Sequence, residues 1–213
     1  QVTDWNPDAT GGAVKAIAVN NSLVYAGGLF TSIGSDARMR IAAIDSITGL
    51  ATSWNPGINS IVNAIAVAGS KIYAGGSFTN AGGLTRNYAA AIDASTGAVT
   101  SWDPASDGIV HCIIVSGNNA YFGGDFTSFG GVSRNHIAAV DVTSDMVTSW
   151  NPDISSSVSA INVSDNIVYI GGYFSLAGGE SRNNIAAIDK TTGIVTSWNP
   201  SASSTVLSIK SSE

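Results

Sequence analysis

One pattern recurs four times along this chain and restricts the fold to a repeat architecture. Its clearest copy reads IYAGGSFTNAGGLTRNYAAAIDASTGAVTSWDP, from residue 72 to residue 104. Every copy has a tyrosine shortly before a Gly-Gly pair and a tryptophan 29 residues after that tyrosine. With a further tryptophan at Trp5, successive tryptophans lie 49, 48, 48 and 48 residues apart. Self-similarity at a fixed period of this length is the signature of stacked or ring-forming repeats.

Each repeat divides into four short apolar segments separated by turn residues, which in the second repeat are residues 62–67, 71–79, 88–93 and 98–102. The first is apolar on both alternating faces, as in a strand that is covered on two sides. The second contains the Gly-Gly pair, which indicates a β-bulge or the close approach of another backbone. The third is rich in alanine but too short for a stable helix. The fourth alternates like a half-exposed strand and stops at proline.

A tight turn is predicted between the third and fourth segments. Gly97 lies in it, and its equivalents are Gly49, Asp145 and Gly193. Aspartate is one of the few residues besides glycine that tolerates a left-handed backbone, so the exchange predicts a positive φ at this position. We expect the aspartates that begin these turns to accept hydrogen bonds from the turn N–H groups: Asp45, Asp93, Asp141 and Asp189.

Four short strands in each repeat predict an all-β fold, a β-propeller built of four-stranded antiparallel blades. A solenoid of β-meanders is the competing architecture. Residues 1–213 then consist of the end of a preceding blade and a linker (1–13), four blades (14–56, 62–104, 110–152 and 158–200) and the start of a further blade (201–213). The surplus pieces at both ends predict a part of a larger ring or assembly. The alternatives are closure with another copy of the chain and a four-bladed ring with redundant ends.

Composition limits the partners. The chain has 9 basic and 15 acidic residues and a net charge of −6, which argues against a nucleic-acid surface. No apolar run has the length of a membrane-spanning helix. Cys112 replaces an alanine of the other repeats, so we expect a small buried side chain rather than a reactive thiol. Few charges and much Ser, Thr, Asn and Gly favour a secreted or cell-surface protein.

The repeat resembles the delta-60 type of β-propeller repeat, a propeller domain of unknown function in secreted and surface-anchored microbial proteins, at its Gly-Gly, Arg-Asn and Trp-Asn-Pro positions. It is also similar to kelch repeats, which share the Gly-Gly pair and the late tryptophan. Quinoprotein propellers share the Ala-x-Asp-x-x-Thr-Gly sequence, although Trp102 lies one residue further from Gly97 than in their motif. The resemblance implies a propeller fold and an extracellular setting, and it supplies no catalytic residues.

Residues that recur in every repeat point to structure, because a catalytic site is asymmetric whereas each blade must pack. We expect the tryptophans to fill the core or to pack as wedges between neighbouring blades: Trp54, Trp102, Trp150 and Trp198. We expect the arginines to hold carbonyls or a carboxylate between blades, with a ligand-binding ring as the alternative: Arg38, Arg86, Arg134 and Arg182.

Candidates for catalysis or metal binding are few. The two histidines, His111 and His136, lie on segments separated by an intervening strand and do not predict a metal pair. The aspartates after the Trp-Asn/Asp-Pro sequences fit no recognised calcium site: Asp8, Asp103, Asp107 and Asp153. No nucleophile triad, zinc motif or phosphate-binding loop occurs. The prediction is a protein without catalytic residues, metal or cofactor.

A recognition surface is expected where the repeats differ, because propellers acquire partners through varied loops on a fixed scaffold. The varied positions are those after the Gly-Gly pair (Leu29, Ser77, Asp125, Tyr173), the loops around Ile33, Ala81, Phe129 and Ala177, and the linkers after each proline. Tyr88, Phe129 and Tyr173 are the candidate exposed aromatics.

The leading hypothesis for function is a non-enzymatic, extracellular or cell-surface module that acts as a scaffold or binding surface for protein or glycan partners. A structural subunit of a filament or sheath that assembles by strand addition is the second reading. A propeller lyase, hydrolase or quinone-dependent oxidoreductase is the third. A homo-oligomer and a longer chain are both compatible with the pattern.

Overall fold

The computed structural model describes residues 5–211, and every regular element among them is a β-strand. The described residues therefore contain no helix that could span a membrane. The alanine-rich segments are strands, as the sequence predicts. Contacts divide the chain into two compact units, one up to Asp103 and one from Pro104, and each holds two of the repeats.

Each repeat forms a three-stranded antiparallel sheet in the order first, second, third strand. The first strands are Val14–Asn20, Val62–Ala68, Val110–Ser116 and Val158–Ser164. The second strands are Leu23–Gly28, Lys71–Gly76, Asn119–Gly124 and Ile167–Gly172, each ending on the second glycine of its pair. The third strands are Ile41–Asp45, Ala89–Asp93, Ile137–Asp141 and Ile185–Asp189.

The predicted bulge is present, but the extra residue lies on the first strand, opposite the glycines. In the second repeat Val62 pairs with Gly76 and Ala64 pairs with Gly75, so Asn63 is the bulged residue. A Cβ atom on Gly76 would lie 1.9 Å from the carbonyl oxygen of Ile61. That carbonyl accepts a hydrogen bond from the N–H of Ser77 at 3.0 Å. The glycine is required because the two backbones meet directly.

The sequence predicts a full fourth strand in each repeat, but the structure forms only a small part of it, so that prediction is wrong in its extent. Only a single bridge joins this segment to the third strand, Ile92 to Val99 in the second repeat. Side chains bind the backbone groups that would continue the ladder. The Trp102 N–H donates to the hydroxyl of Thr100 at 3.3 Å, and the Thr100 carbonyl accepts from Arg86 at 2.8 Å. The sheets are therefore three-stranded with a bridged fourth segment.

The loop between the second and third strands folds into a small hairpin of two-residue strands in every repeat. These pairs are Ser32–Ile33 with Asp36–Ala37, Asn80–Ala81 with Leu84–Thr85, Ser128–Phe129 with Val132–Ser133, and Leu176–Ala177 with Glu180–Ser181. Ala9–Thr10 adds a third strand to the first of them. The predicted end of a preceding blade, within residues 1–13, falls partly on residues 1–4, outside the described part of the chain.

Consecutive repeats share a core within each unit. Tyr25 and Ile41 of the first repeat pack with Val62, Ile72 and Ile92 of the second. In the second unit the corresponding cluster joins Tyr121, Ile137 and Trp150 to Val158 and Ile188. One sheet therefore covers the next, and this burial is the main stabilising contribution.

Candidate binding surface

The aspartate that begins each predicted turn accepts hydrogen bonds from that turn. Oδ1 of Asp93 accepts from the N–H groups of Ser95 and Thr96 and from both of their hydroxyls, at 2.7–3.0 Å. These bonds, that of the Ser95 hydroxyl foremost, lower the pKa of Asp93 to about 2. Asp45 and Asp189 make similar bonds, which also lower their pKa values. Asp141 accepts from Thr143 and Ser144, and the predicted positive φ is present at Asp145, +61°.

The recurring arginines bind carbonyls of their own repeat. Arg86 donates to the carbonyls of Thr85 and Thr100, each at 2.8 Å. The equivalent pairs of bonds occur at Arg38, Arg134 and Arg182. The expected contacts with carbonyls are therefore present, but they lie within one repeat rather than between blades. The planar fork suits two carbonyls at a fixed separation, and here it holds the fourth segment beside the hairpin loop.

The tryptophans connect one repeat to the next. Trp54 packs edge-on against Tyr25, with ring centroids 5.2 Å apart, and donates its indole N–H to the Asp93 carbonyl at 2.9 Å. Tyr25 donates to the neighbouring carbonyl of Ala94 at 3.1 Å. Desolvation, with a contribution from the charge of Asp93, raises the pKa of Tyr25. Trp5 and Trp150 make the same indole bond, to Asp45 and Asp189.

Trp102 and Trp198 have different surroundings. Trp102 is buried and packs edge-on against Tyr73. Trp198 packs against Tyr169 in the same way but remains 42% exposed.

Side chains that differ among the repeats gather at one end of each sheet, where the first strand begins, the second ends and the third begins. We call this the variable edge. It comprises the bulged residue, the residue after the Gly-Gly pair and the residue before the third strand. These are Lys15, Leu29 and Arg40; Asn63, Ser77 and Tyr88; His111, Asp125 and His136; and Ser159, Tyr173 and Asn184.

Backbone geometry fixes the direction of these side chains. A bulge redirects the side chain that it carries and is common beside functional sites. The residues before the third strands have a left-handed backbone, with φ between 63° and 68° at Arg40, Tyr88, His136 and Asn184. Their carbonyls accept hydrogen bonds from the second glycine of each pair at 2.9–3.0 Å. An invariant framework thus holds each variable side chain.

The third repeat has an ionisable cluster at its variable edge. Nε2 of His111 lies 2.8 Å from Oδ2 of Asp125, and both side chains are partly exposed. Nδ1 of His136 lies 3.2 Å from the carbonyl oxygen of Gly124. The two histidines lie on either side of the end of the second strand, with that strand between them as the sequence predicts. No group of three potential metal ligands occurs among residues 5–211.

The chemistry of the variable edge changes from repeat to repeat. The first repeat carries two cations, Lys15 and Arg40, and the second is uncharged with a half-buried Tyr88. The fourth repeat is also uncharged and carries Tyr173, which is 66% exposed. A cavity of about 300 Å³ beside Tyr173 is lined by Ser155, Ser156, Phe174, Ser175, Asn183 and Asn184.

Phe129 is not an exposed aromatic, and that expectation is wrong. It is fully buried and packs on Phe122 and Phe126, with ring centroids 4.9 and 5.0 Å apart. Its equivalents Ile33, Ala81 and Ala177 are buried as well. Each lies in the first strand of a loop hairpin, which turns this side chain into the core. Variation at this position reflects core packing rather than recognition.

The aspartates after the prolines have structural contacts. Asp107 accepts from the N–H groups of Thr127 and Ser128 at 2.7 and 2.9 Å. Desolvation raises the pKa of Asp107. These bonds and that of the Thr127 hydroxyl lower it by a larger amount, so the pKa lies below its ordinary value. Asp153 accepts from Asn135, Asp103 lies 3.7 Å from Arg86, and Asp8 has a left-handed backbone.

Cys112 has the surroundings of a packing residue. It is partly buried and packs against the shared core of the second unit, with Sγ 3.8 Å from the carbonyl oxygen of Val158. Burial raises the pKa of the Cys112 thiol to about 12. A thiol with so high a pKa is almost entirely protonated at neutral pH and is a poor nucleophile.

Two of the three positions in the variable edge were not singled out from the sequence. The left-handed position was recognised only at Tyr88, as an aromatic, and the bulged position was not recognised. When the four repeats are aligned, the residue at each of these two positions differs from repeat to repeat while the adjacent residues recur. The left-handed position, for example, is Arg40, Tyr88, His136 and Asn184. Column-by-column variation was therefore a usable signal.

Comparisons with known proteins give the fold. No protein-family model and no curated protein sequence matches this chain. The computationally designed propeller Ika4 is similar to it, with a TM-score of 0.58 and 16% identity over 89% of this chain and 99% of that one. The WD40 domain of Neurospora crassa Pan2 has a TM-score of 0.57 and 10% identity, over 86% of this chain and 50% of that one. U3-55K has a TM-score of 0.59, with the same identity and coverage.

The chain has a β-propeller fold. It spans about half the length of the Pan2 and U3-55K structures that it matches. At these identities the likeness concerns the fold, and function has to be argued from the chain's own residues.

Proposed function

We propose that this chain is a non-enzymatic binding scaffold of delta-60 type propeller repeats in a secreted or cell-surface protein. Its recognition surface is the variable edge, and its partner is a protein or, as the alternative class, a glycan. It acts by holding a partner rather than by chemical conversion.

The observation that carries this proposal is the separation of recurring from varying side chains. The recurring Tyr, Trp, Arg and Asp residues are engaged in packing or in backbone hydrogen bonds, as at Trp54, Arg86 and Asp93. The varying ones lie at one end of each sheet on a fixed backbone. Neighbouring positions that differ in charge and size on a rigid framework are what specific recognition requires.

The experiment replaces the variable edge of the third repeat with that of the second. The triple variant His111→Asn, Asp125→Ser, His136→Tyr places residues that the same backbone already accepts at Asn63, Ser77 and Tyr88, where φ is 64° at Tyr88 and 65° at His136. A matched control, Met146→Ala, makes the third repeat like the second at an exposed turn that follows the third strand, at the opposite end of the sheet.

Wild-type protein and both variants are applied to protein and glycan arrays. A ligand that is lost by the triple variant and kept by the control supports the variable edge as the recognition surface. Absence of ligands on both arrays, or ligands that the triple variant keeps unchanged, contradicts it. The location is tested separately, by protease treatment of intact cells that express the native gene.

A further inference from the structure

The first strand of the first repeat has an uncovered apolar face. Ile17 and Val19 are 63% and 64% exposed, and Val14 is 38% exposed. The equivalents of Val14 and Ile17 in the second repeat, Val62 and Ile65, are 0% and 7% exposed and lie against Gly27 of the preceding sheet, and the equivalent of Val19, Val67, is half-buried. We call Val14, Ile17 and Val19 the start face.

The opposite face of the fourth repeat is only partly covered. It is formed by Tyr169 and Ile185, which are half-buried, and by the exposed Trp198, and we call it the end face. It borders a cavity of about 560 Å³. Tyr25, Ile41 and Trp54, the equivalent residues of the first repeat, are at most 4% exposed. Among residues 5–211 the indole N–H of Trp198 has no hydrogen-bond acceptor, whereas that of Trp54 donates to Asp93.

The interface between the first two repeats shows what fits each face. Tyr25, Ile41 and Trp54 are covered there by Ile72, Ala74 and Ile92, and Gly27 is covered by Val62 and Ile65. The first repeat carries the matching set: Val24, Ala26, Ile44, Val14 and Ile17. We propose that the fourth repeat of one copy of this chain binds the first repeat of a second copy, so that Val24, Ala26 and Ile44 cover the end face and the start face covers Gly171.

In that contact Trp198 of one copy packs on Val24, Ala26 and Ile44 of the other and donates to its Asp45 carbonyl. Within one chain Trp5 occupies this position, with its indole 3.2 Å from the Asp45 oxygen. Likewise Val206 and Ile209 cover Gly171, as Val62 and Ile65 cover Gly27. Association therefore exchanges these segments for equivalent residues of the other copy.

Replacing these segments by the first repeat of a second copy buries more apolar surface than the segments themselves bury. Residues 206–211 supply only the counterpart of a first strand, and they leave the cavity beside Trp198 open. A complete first repeat brings its second and third strands as well, and it buries its own Ile17 and Val19. Because the two faces differ, the contact is heterologous, and it joins sheet faces rather than strand edges. It is independent of the recognition proposed for the variable edge.

The first test is sedimentation velocity of the full chain across the micromolar range. Wild type is expected to form dimers or larger species as the concentration rises. Ile17→Lys should weaken association by about tenfold or more, because the ammonium would be buried without a partner. Ile47→Lys makes the same change at an 82% exposed turn residue and should have no effect. Since Ile17 is exposed in the single chain, its variant should unfold at the same urea concentration as wild type.

The second test is complementation. Ile17→Lys removes the start face of one copy, and Trp198→Arg removes the end face of another. Each variant alone should be largely monomeric, whereas a mixture retains one intact pair of faces and should give a one-to-one heterodimer. A shortened chain that ends at Thr205 should associate more tightly, because only the segment that carries Trp5 remains to be displaced.

Three results would overturn the proposal: a wild type that stays monomeric throughout, an Ile17→Lys variant that associates like wild type, or a mixture that forms no heterodimer. Association of the shortened chain that is no tighter than that of the full chain contradicts the exchange of segments.

Discussion

At the scale of single residues, identical amino acids differ in what they contribute. Trp54 is 4% exposed and donates to the Asp93 carbonyl, while Trp198 is 42% exposed and has no acceptor among the described residues. Removing one partner of a buried hydrogen bond leaves the other unsatisfied, whereas removing an exposed donor leaves it to water. Position in the series of repeats therefore determines the contribution of each tryptophan.

Trp54→Phe is expected to lower the free energy of unfolding by about 2–3 kcal/mol, because the Asp93 carbonyl loses its donor and the smaller ring leaves a cavity. Trp198→Phe should change it by less than about 1 kcal/mol. Urea titrations followed by circular dichroism measure both values. Equal losses for the two variants would show that the indole bond does not stabilise the interface between repeats.

Asp93 predicts a pH dependence of stability. Its pKa in the folded chain is about 2, against an ordinary value of 3.8. A lowered pKa stabilises the folded state above the unfolded value, and this contribution is lost as the pH falls from about 4 towards 2. Asp93→Asn should therefore flatten the dependence of the urea midpoint on pH in that window. Asp36→Asn removes the same charge from an exposed loop hairpin and serves as the control.

At the scale of elements, the Gly-Gly pair determines how the first and second strands meet. Gly76→Ala places a Cβ atom against the carbonyl oxygen of Ile61 and should cost about 3 kcal/mol, because one of the two strands has to move. Gly117→Ala is the matched comparison. Gly117 has φ of +60° and nothing within 4 Å of its Cβ position, so only backbone strain of about 1 kcal/mol is expected. Thermal unfolding of both variants separates steric contact from strain, and similar losses would contradict the contact.

The strands and turns could be predicted from the sequence because their signals are local. Glycine pairs, the aspartate turn and alternating apolar residues each report on their own backbone. The fourth strand was overpredicted because the side chains of Thr100 and of Arg86, which follows the loop hairpin, take hydrogen bonds that would continue the ladder. Phe129 was misassigned because a short hairpin, which the residue types in this loop do not predict, turns its side chain into the core.

At the scale of the whole molecule, the two sheets within each unit depend on each other for burial. The variable edge also depends on a comparison between repeats, because its positions are recognised only when the repeats are aligned with one another. Residues such as Asp125 and Tyr173 were singled out because their column varies, but their grouping with His111 and Asn184 depends on the bulge and the left-handed backbone.

Dependence between repeats predicts a gradient of stability. Tyr73 and Tyr121 are fully buried, whereas the first strand of the first repeat exposes Ile17 and Val19, and the fourth repeat exposes Trp198. Opening free energy follows local burial. In dilute protein, amides of Val14–Asn20 should exchange with deuterium faster than those of Val62–Ala68. Hydrogen–deuterium exchange with mass spectrometry measures the difference, and equal protection of the two strands would contradict the gradient. If copies associate through the two uncovered faces, protection of Val14–Asn20 should rise with protein concentration while that of Val62–Ala68 stays constant.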